Sequence, residues 1–176
     1  AFAIAVQFGL ERNLAEDALK HFPGLPHRLQ FVAEKNGVRY YNDSKCTTPS
    51  GAVVALETFQ SRRTVILLGG CDKGVSFDEL AVAAAGRAKA VVTFGATKNA
   101  ILESMEKAVP ACPVASAPDL PGALNAARQI AEHGDVILLS PACASYDQFT
   151  NYQKRGEMFL RLVTELLKHE TRGQTP

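Results

Sequence analysis

The residues best suited to chemistry lie in three short polar stretches. They are Asp43-Ser44-Lys45-Cys46-Thr47-Thr48, Gly69-Gly70-Cys71-Asp72-Lys73-Gly74 and Pro141-Ala142-Cys143-Ala144-Ser145-Tyr146. Each follows an apolar run that reads as a strand, and each precedes a helix-start signal. Thr48 with Pro49, Ser76 with Glu79 and Ser145 with Gln148 supply those signals. In an open α/β sheet, ligands sit beyond the carboxyl ends of the strands, where helix N-termini offer unpaired N–H groups. If the three strands are parallel neighbours, the loops share one rim and present Asp43, Lys45, Thr47, Lys73 and Ser145 together. Two lysines, two hydroxyls and three helix N-termini make an anion site, suited to carboxylates or phosphates.

Each of these residues also has a plainer role. Ser145 and Thr48 serve equally as helix caps, Lys73 as a solvated turn residue and Asp43 as an Asx-turn former. His27 and Arg28, beside Pro26, read as linker decoration. Tyr152 lies on an apolar stripe with Phe149, Gly156, Phe159, Val163 and Leu166, which is a core pattern. The coincidence of three loops at one edge is what favours a site. Cys46, Cys71, Cys112 and Cys143 show no C-x-x-C spacing, so they read as reduced, space-filling thiols rather than a disulfide framework or metal set. No G-x-G-x-x-G follows the first parallel strand, and neither G-x-x-x-x-G-K-[ST] nor G-x-S-x-G occurs. A dinucleotide dehydrogenase, a self-contained P-loop ATPase and an α/β-hydrolase are therefore disfavoured.

The elements that must position these loops can be read in order. Residues 1–8 are apolar nearly all round and stop at Gly9. With no basic region before them and no cleavage pattern after, they read as a helix of a preceding domain, not a secretory signal. Asn13 with Glu16 predicts a second helix, ended by Pro23-Gly24. Asn36-Gly37 joins strands Gln30–Lys35 and Val38–Asn42 as a hairpin. Strands then alternate with helices: helix 49–59, strand 64–68, helix to about residue 85, strand Ala90–Phe94, helix Lys98–Lys107. A strand near Val114, introduced by Pro110, helix 120–132, strand Val136–Leu139 and a long helix starting at Ser145 follow. This alternation predicts a doubly wound, mostly parallel Rossmann-like sheet with an edge hairpin. The chain of 176 residues, 47% hydrophobic and 21% charged, supports one core. Its net charge of +1 gives no reason to expect nucleic acid or a membrane surface as partner.

Taken together, Gly24-Leu25-Pro26-His27-Arg28, Asn42-Asp43-Ser44-Lys45-x-Thr47, Gly69-Gly70-x-Asp72-Lys73-Gly74 and Ser140-Pro141-Ala142-Cys143-Ala144-Ser145-x-Asp147-Gln148-Phe149 form a recognisable set. The set resembles the C-terminal domain of the Mur ligases, in the branch that adds D-glutamate during peptidoglycan synthesis. The resemblance implies residues 1–23 as the tail of a central ATP-binding domain, 24–170 as the amino-acid-binding domain and 171–176 as a frayed tail. It implies a cytoplasmic parent enzyme in which ATP, with Mg2+, activates UDP-N-acetylmuramoyl-L-alanine as an acyl phosphate that the amine of D-glutamate attacks. Thr47, Lys73, Ser145, the Tyr146 backbone and Tyr152 would hold D-glutamate, while Arg28, Asp43 and Lys45 would face the nucleotide. The P-loop and most magnesium ligands belong to a central domain this chain does not contain, so the chain alone is expected to be monomeric and inactive. Cys46, Thr48 and Tyr152 depart from the family's usual Ala, Asn and Phe. Two alternatives stand beside this one: a stand-alone small-anion binding module, and the matching domain of a sibling Mur ligase or folylpolyglutamate synthetase.

Overall fold

A computed structural model describes residues 1–109 and 111–168; Pro110 and the tail residues 169–176 lie outside the described residues. Seven helices and six strands occur among the described residues. In chain order they are α1 Phe2–Gln7, α2 Arg12–Lys20, β1 Gln30–Lys35, β2 Val38–Asn42, α3 Pro49–Glu57, β3 Thr64–Gly69, α4 Asp78–Arg87, β4 Ala90–Phe94, α5 Lys98–Lys107, β5 Val114–Ser116, α6 Leu120–Ile130, β6 Val136–Leu139 and α7 Tyr152–Lys168. Asn36 and Gly37 take φ of 53° and 73°, the left-handed pair that a tight hairpin turn between twisted strands requires. Lys35 then pairs with Val38, and β1 becomes an antiparallel edge.

The sheet order is β1-β2-β6-β3-β4-β5, and every pairing except β1 with β2 is parallel. Strands β3, β4 and β6 are buried at every position, which is why they read as continuous apolar runs. Side chains alternate between the two faces. Ile66, Leu68, Val91 and Leu138 meet α3, α4 and α5 through Ala52, Leu56, Leu80, Ala84, Ile101 and Met105. Val65, Leu67, Val92, Ile137 and Leu139 meet α6 and α7 through Leu120, Leu124, Phe159 and Val163. The sheet is thus doubly wound. Burying each such Leu or Ile contributes roughly 1.5–3 kcal/mol, which fixes the strand ends firmly enough to hold loops in register.

Three helix starts differ from the sequence expectation. The long last helix begins at Tyr152, not Ser145. Gln148 donates its amide to Pro118 O at 2.9 Å instead of reaching back to Ser145, so the capping box does not form. Residues 145–149 make one isolated turn, in which Ser145 O accepts from Gln148 N and Phe149 N. Asn151 takes over the cap, its Oδ1 accepting from Lys154 N at 2.8 Å. Helix α2 starts after Glu11 rather than at Asn13. Helix α4 starts after Phe77, whose ring is buried; Ser76 accepts from Asp78 N one residue early. Gly9, with φ 91°, ends α1 as expected, with Leu10 N bonding Ala5 O and Gly9 N bonding Val6 O. Helix α1 buries no residue and α2 only Ala15, leaving Phe8, Leu14, Leu19 and Phe22 exposed. Among the described residues, no helix is long and apolar enough to cross a membrane.

Candidate anion-binding rim

Because β2, β6 and β3 are adjacent and parallel, the loops that leave their carboxyl ends do meet on one rim. What ties them together is Arg155, which is fully buried in the first turn of α7. Its Nε donates to Ser44 Oγ at 3.0 Å and Nη2 to Ser44 O at 2.9 Å. Nη2 also reaches Cys143 O at 2.9 Å, and Nη1 reaches Ala144 O at 3.2 Å and Gly69 O at 3.5 Å. One guanidinium therefore fixes the loops after β2, β3 and β6. Burial pulls its pKa down to about 10, still well above neutrality, so it stays charged. Cys71 N bonding Ala144 O at 2.8 Å joins the β3 and β6 loops a second time. Gly70 must be glycine here, since a Cβ would lie 2.1 Å from Ala144 O at a φ of 145°. Thr97 Oγ1 and Asp147 Oδ2 extend the network to the loop after β4, bonding Gly70 and Ala96 N.

The rim contains a cleft of about 370 Å³ lined by Arg28, Leu29, Asp43, Lys45, Cys46, Thr47, Thr48, Gly51, Val54 and Ala55. It lies at the N-terminus of α3, where Thr48 Oγ1 accepts from Gly51 N and Pro49 takes the first turn. Two cations and a helix N-terminus give this cleft a preference for anions. Thr47, grouped with Lys73 on sequence grounds, sits in this cleft beside Arg28 and Lys45. Tyr152 is also on this side: its ring lies 5.9 Å from Lys45 Nζ and 5.9 Å, edge-on, from the His27 ring. Lys73, Ser145 and Tyr146 lie on the two adjoining loops. Lys73 is exposed on a turn closed by Asp72 Oδ1 and Gly74 N at 2.8 Å. Ser145 is buried and Tyr146 is exposed. Lys45 thus lines the cleft, while Lys73 stands exposed on an adjoining loop outside its lining.

Asp43 is only 6% exposed, and both its carboxylate oxygens are engaged inside the protein. Oδ1 accepts from Leu29 N at 3.1 Å and Oδ2 from Ser140 Oγ at 2.7 Å. Burial raises its pKa, with the two hydrogen bonds and Arg28 opposing the shift. Any contact to a ligand hydroxyl would use its remaining lone pairs. His27 is not a linker ornament: it is 9% exposed, at φ 61°, with Nδ1 3.0 Å from Asn42 Nδ2. Burial pushes the Cys143 thiol up to about 11 and also raises Cys46, so neither is a ready nucleophile. Arg155 escaped the sequence reading, and Asn42 and Ser140 entered it only as motif members without a role. A charge at position 155 inside the apolar stripe, three residues after Tyr152 and one before Gly156, was the available signal.

What the fold and rim define is a Rossmann-like α/β domain whose carboxyl-end loops carry a cleft lined by Arg28 and Lys45. Residues 27–143 match the family described as Mur ligase, glutamate ligase domain, and the chain belongs to that family. It is similar to the UDP-N-acetylmuramoylalanine--D-glutamate ligase of Caldicellulosiruptor bescii, with 41% identity over 95% of this chain and 36% of that protein. Similarity to the ligase of the same name from Enterococcus hirae is 42% over 94% of this chain and 36% of that protein. The chain therefore spans 36% of the length of these relatives. Among solved structures, UDP-N-acetylmuramate-alanine ligase MurC from Thermotoga maritima superposes with a TM-score of 0.67 at 17% identity, covering 93% of this chain and 36% of that one. MurF from Acinetobacter baumannii gives 0.61 at 16%, covering 89% and 35%. These two share the fold.

Proposed function

We propose that this chain is the amino-acid-binding domain of an ATP-dependent ligase that joins D-glutamate to UDP-N-acetylmuramoyl-L-alanine in the cytoplasm, with residues 1–23 belonging to its central domain. The observation that carries this is the cation-lined cleft on the rim that the three loops share, in a chain about 40% identical to D-glutamate ligases. Arg28 and Lys45, with the α3 N-terminus, neutralise phosphate oxygens of ATP, and Asp43 fixes the loop that presents them. Lys73 and the Ser145 hydroxyl hold the carboxylates of D-glutamate, and Thr47 and Tyr152, which lie beside Lys45, complete that side. Held in this way, the amine of D-glutamate faces the activated carboxyl carbon as a positioned nucleophile, and orientation rather than proton transfer is this domain's share of catalysis. The residues present suit the outer part of a nucleotide site. On this reading Mg2+ is held mostly by the central domain of the parent.

A parent protein containing this chain should form the amide bond only when D-glutamate, ATP and the nucleotide-linked substrate are all supplied. The 176-residue chain alone, a monomer, should release no phosphate under the same conditions. Activity of the parent with L-alanine or another amino acid in place of D-glutamate would contradict the assignment.

A further inference from the structure

The hydrogen bonds behind the cleft have a polarity that admits one protonation state of His27. Ser44 N–H can only donate, and it donates to Asn42 Oδ1 at 3.1 Å. Asn42 Nδ2 must therefore point the other way, towards His27 Nδ1 at 3.0 Å and Gln30 Oε1 at 3.4 Å. Gln30 Oε1 is held as an acceptor by His27 N at 3.0 Å. A chain of fixed donors leaves His27 Nδ1 as an acceptor, which requires it to carry no proton. The ring cannot swing aside. Gly156 on α7 packs so close that a Cβ there would lie 2.2 Å from Nδ1.

What this latch holds is the nucleotide side of the rim. His27 O accepts from Lys45 N at 3.0 Å, Arg28 is the next residue, and Leu29 N bonds Asp43. Ser44, at the other end of the latch, is the residue Arg155 grips. We infer that His27 is a positioning residue whose unprotonated Nδ1 holds the segments carrying Arg28 and Lys45, so that the cleft keeps its shape only while His27 is neutral. The inference rests on the nucleotide reading of that cleft for its consequence, but not for its mechanism. The charged groups along the latch are Arg28, the next residue; Asp43, which accepts from Leu29 N; Lys45, whose N–H bonds His27 O; Arg155, which holds Ser44; and Glu157 on α7, the group that acts on the ring. Burial lowers the His27 pKa, and Glu157 opposes this, its carboxylate paired with Lys154 Nζ at 2.8 Å. The latch is therefore closed at neutral pH and opens on acidification.

The test is a pH titration of this chain by nuclear magnetic resonance, following the His27 ring nitrogens and the Ser44 and Lys45 amides. His27 should titrate below about 6.5, the value of an unperturbed histidine, with Nδ1 bare above the midpoint and both amides moving at the same midpoint. His27→Asn tests the acceptor: Asn tolerates positive φ and places an oxygen near Nδ1, but does not titrate. In that variant the amide transitions should vanish. ADP affinity of the full-length parent at pH 8 relative to pH 5, with and without His27→Asn, supplies the consequence. Below the midpoint the competent fraction of the wild type falls about tenfold per pH unit, whereas the variant should show only the titration of ADP itself. Amides that ignore the His27 midpoint, or a protonated Nδ1 at neutral pH, would overturn the inference from the wild type alone. Amides that follow His27 while the parent's ADP affinity shows no matching pH dependence would uphold the latch and count against the nucleotide reading.

Discussion

Arg155 and Asp43 show at the residue scale how buried charge shapes this rim. Removing the Arg155 side chain leaves the carbonyls of Ser44 and Cys143 without this donor, while Ala144 O keeps its bond from Cys71 N. An orphaned buried acceptor costs about 1–3 kcal/mol, so Arg155→Ala should destabilise the chain by at least about 2 kcal/mol in urea unfolding. Arg155→Lys should recover only part, because a single ammonium cannot span three loops. Asp43 works in the opposite sense. Burial raises its folded-state pKa, so the native state holds this proton more tightly than the unfolded chain does. Its contribution to stability is full below the ordinary carboxylate pKa and is lost as pH rises through the raised value. Asp43→Asn keeps an acceptor for Leu29 N, and Ser140 Oγ can turn to accept from the new amide. The variant should therefore gain stability relative to wild type between pH 3.5 and pH 7. Unfolding curves whose separation is independent of pH would refute the assignment. Asp43 was legible in the sequence as a loop residue, but its engagement by Ser140, 97 positions away, was not.

At the element scale, alternation of apolar runs with cap signals located all six strands, because β3, β4 and β6 are covered on both faces and cannot tolerate polar interruptions. Helix starts were less legible, since a side chain that could cap has other partners once the fold closes. Ser145 and Gln148 carry the local pattern, yet Gln148 is drawn to Pro118 and Asp147 to Ala96. Local propensity lost to contacts between loops. Asn151→Ala should accordingly cost about 1 kcal/mol through loss of the α7 cap, measured by thermal unfolding. Ser145→Ala should cost α7 nothing through capping. Equal helix loss in the two variants would restore Ser145 as the cap.

For the whole molecule, the decisive feature is the insertion of β6 between β2 and β3. Strand β6 is the last in the sequence, yet it brings the Ser145 loop between the loops of Lys45 and Lys73. Motif order alone did not reveal this; it follows from the parallel register of β2, β6 and β3. The sequence could therefore name most of the rim residues but not their grouping in space: Thr47 lines the cleft with Lys45, and the Tyr152 ring lies near Lys45. The most direct test of two subsites with separate cations is steady-state kinetics on the full-length parent carrying Lys73→Ala or Lys45→Ala. A charge-assisted hydrogen bond to a carboxylate contributes roughly 1.5–3 kcal/mol, and about 1.4 kcal/mol is tenfold in affinity. Lys73→Ala should raise KM for D-glutamate about 10- to 100-fold with little change for ATP, and Lys45→Ala should act mainly on ATP. If Lys73→Ala weakens ATP and leaves D-glutamate untouched, the division of the rim into these two subsites is wrong.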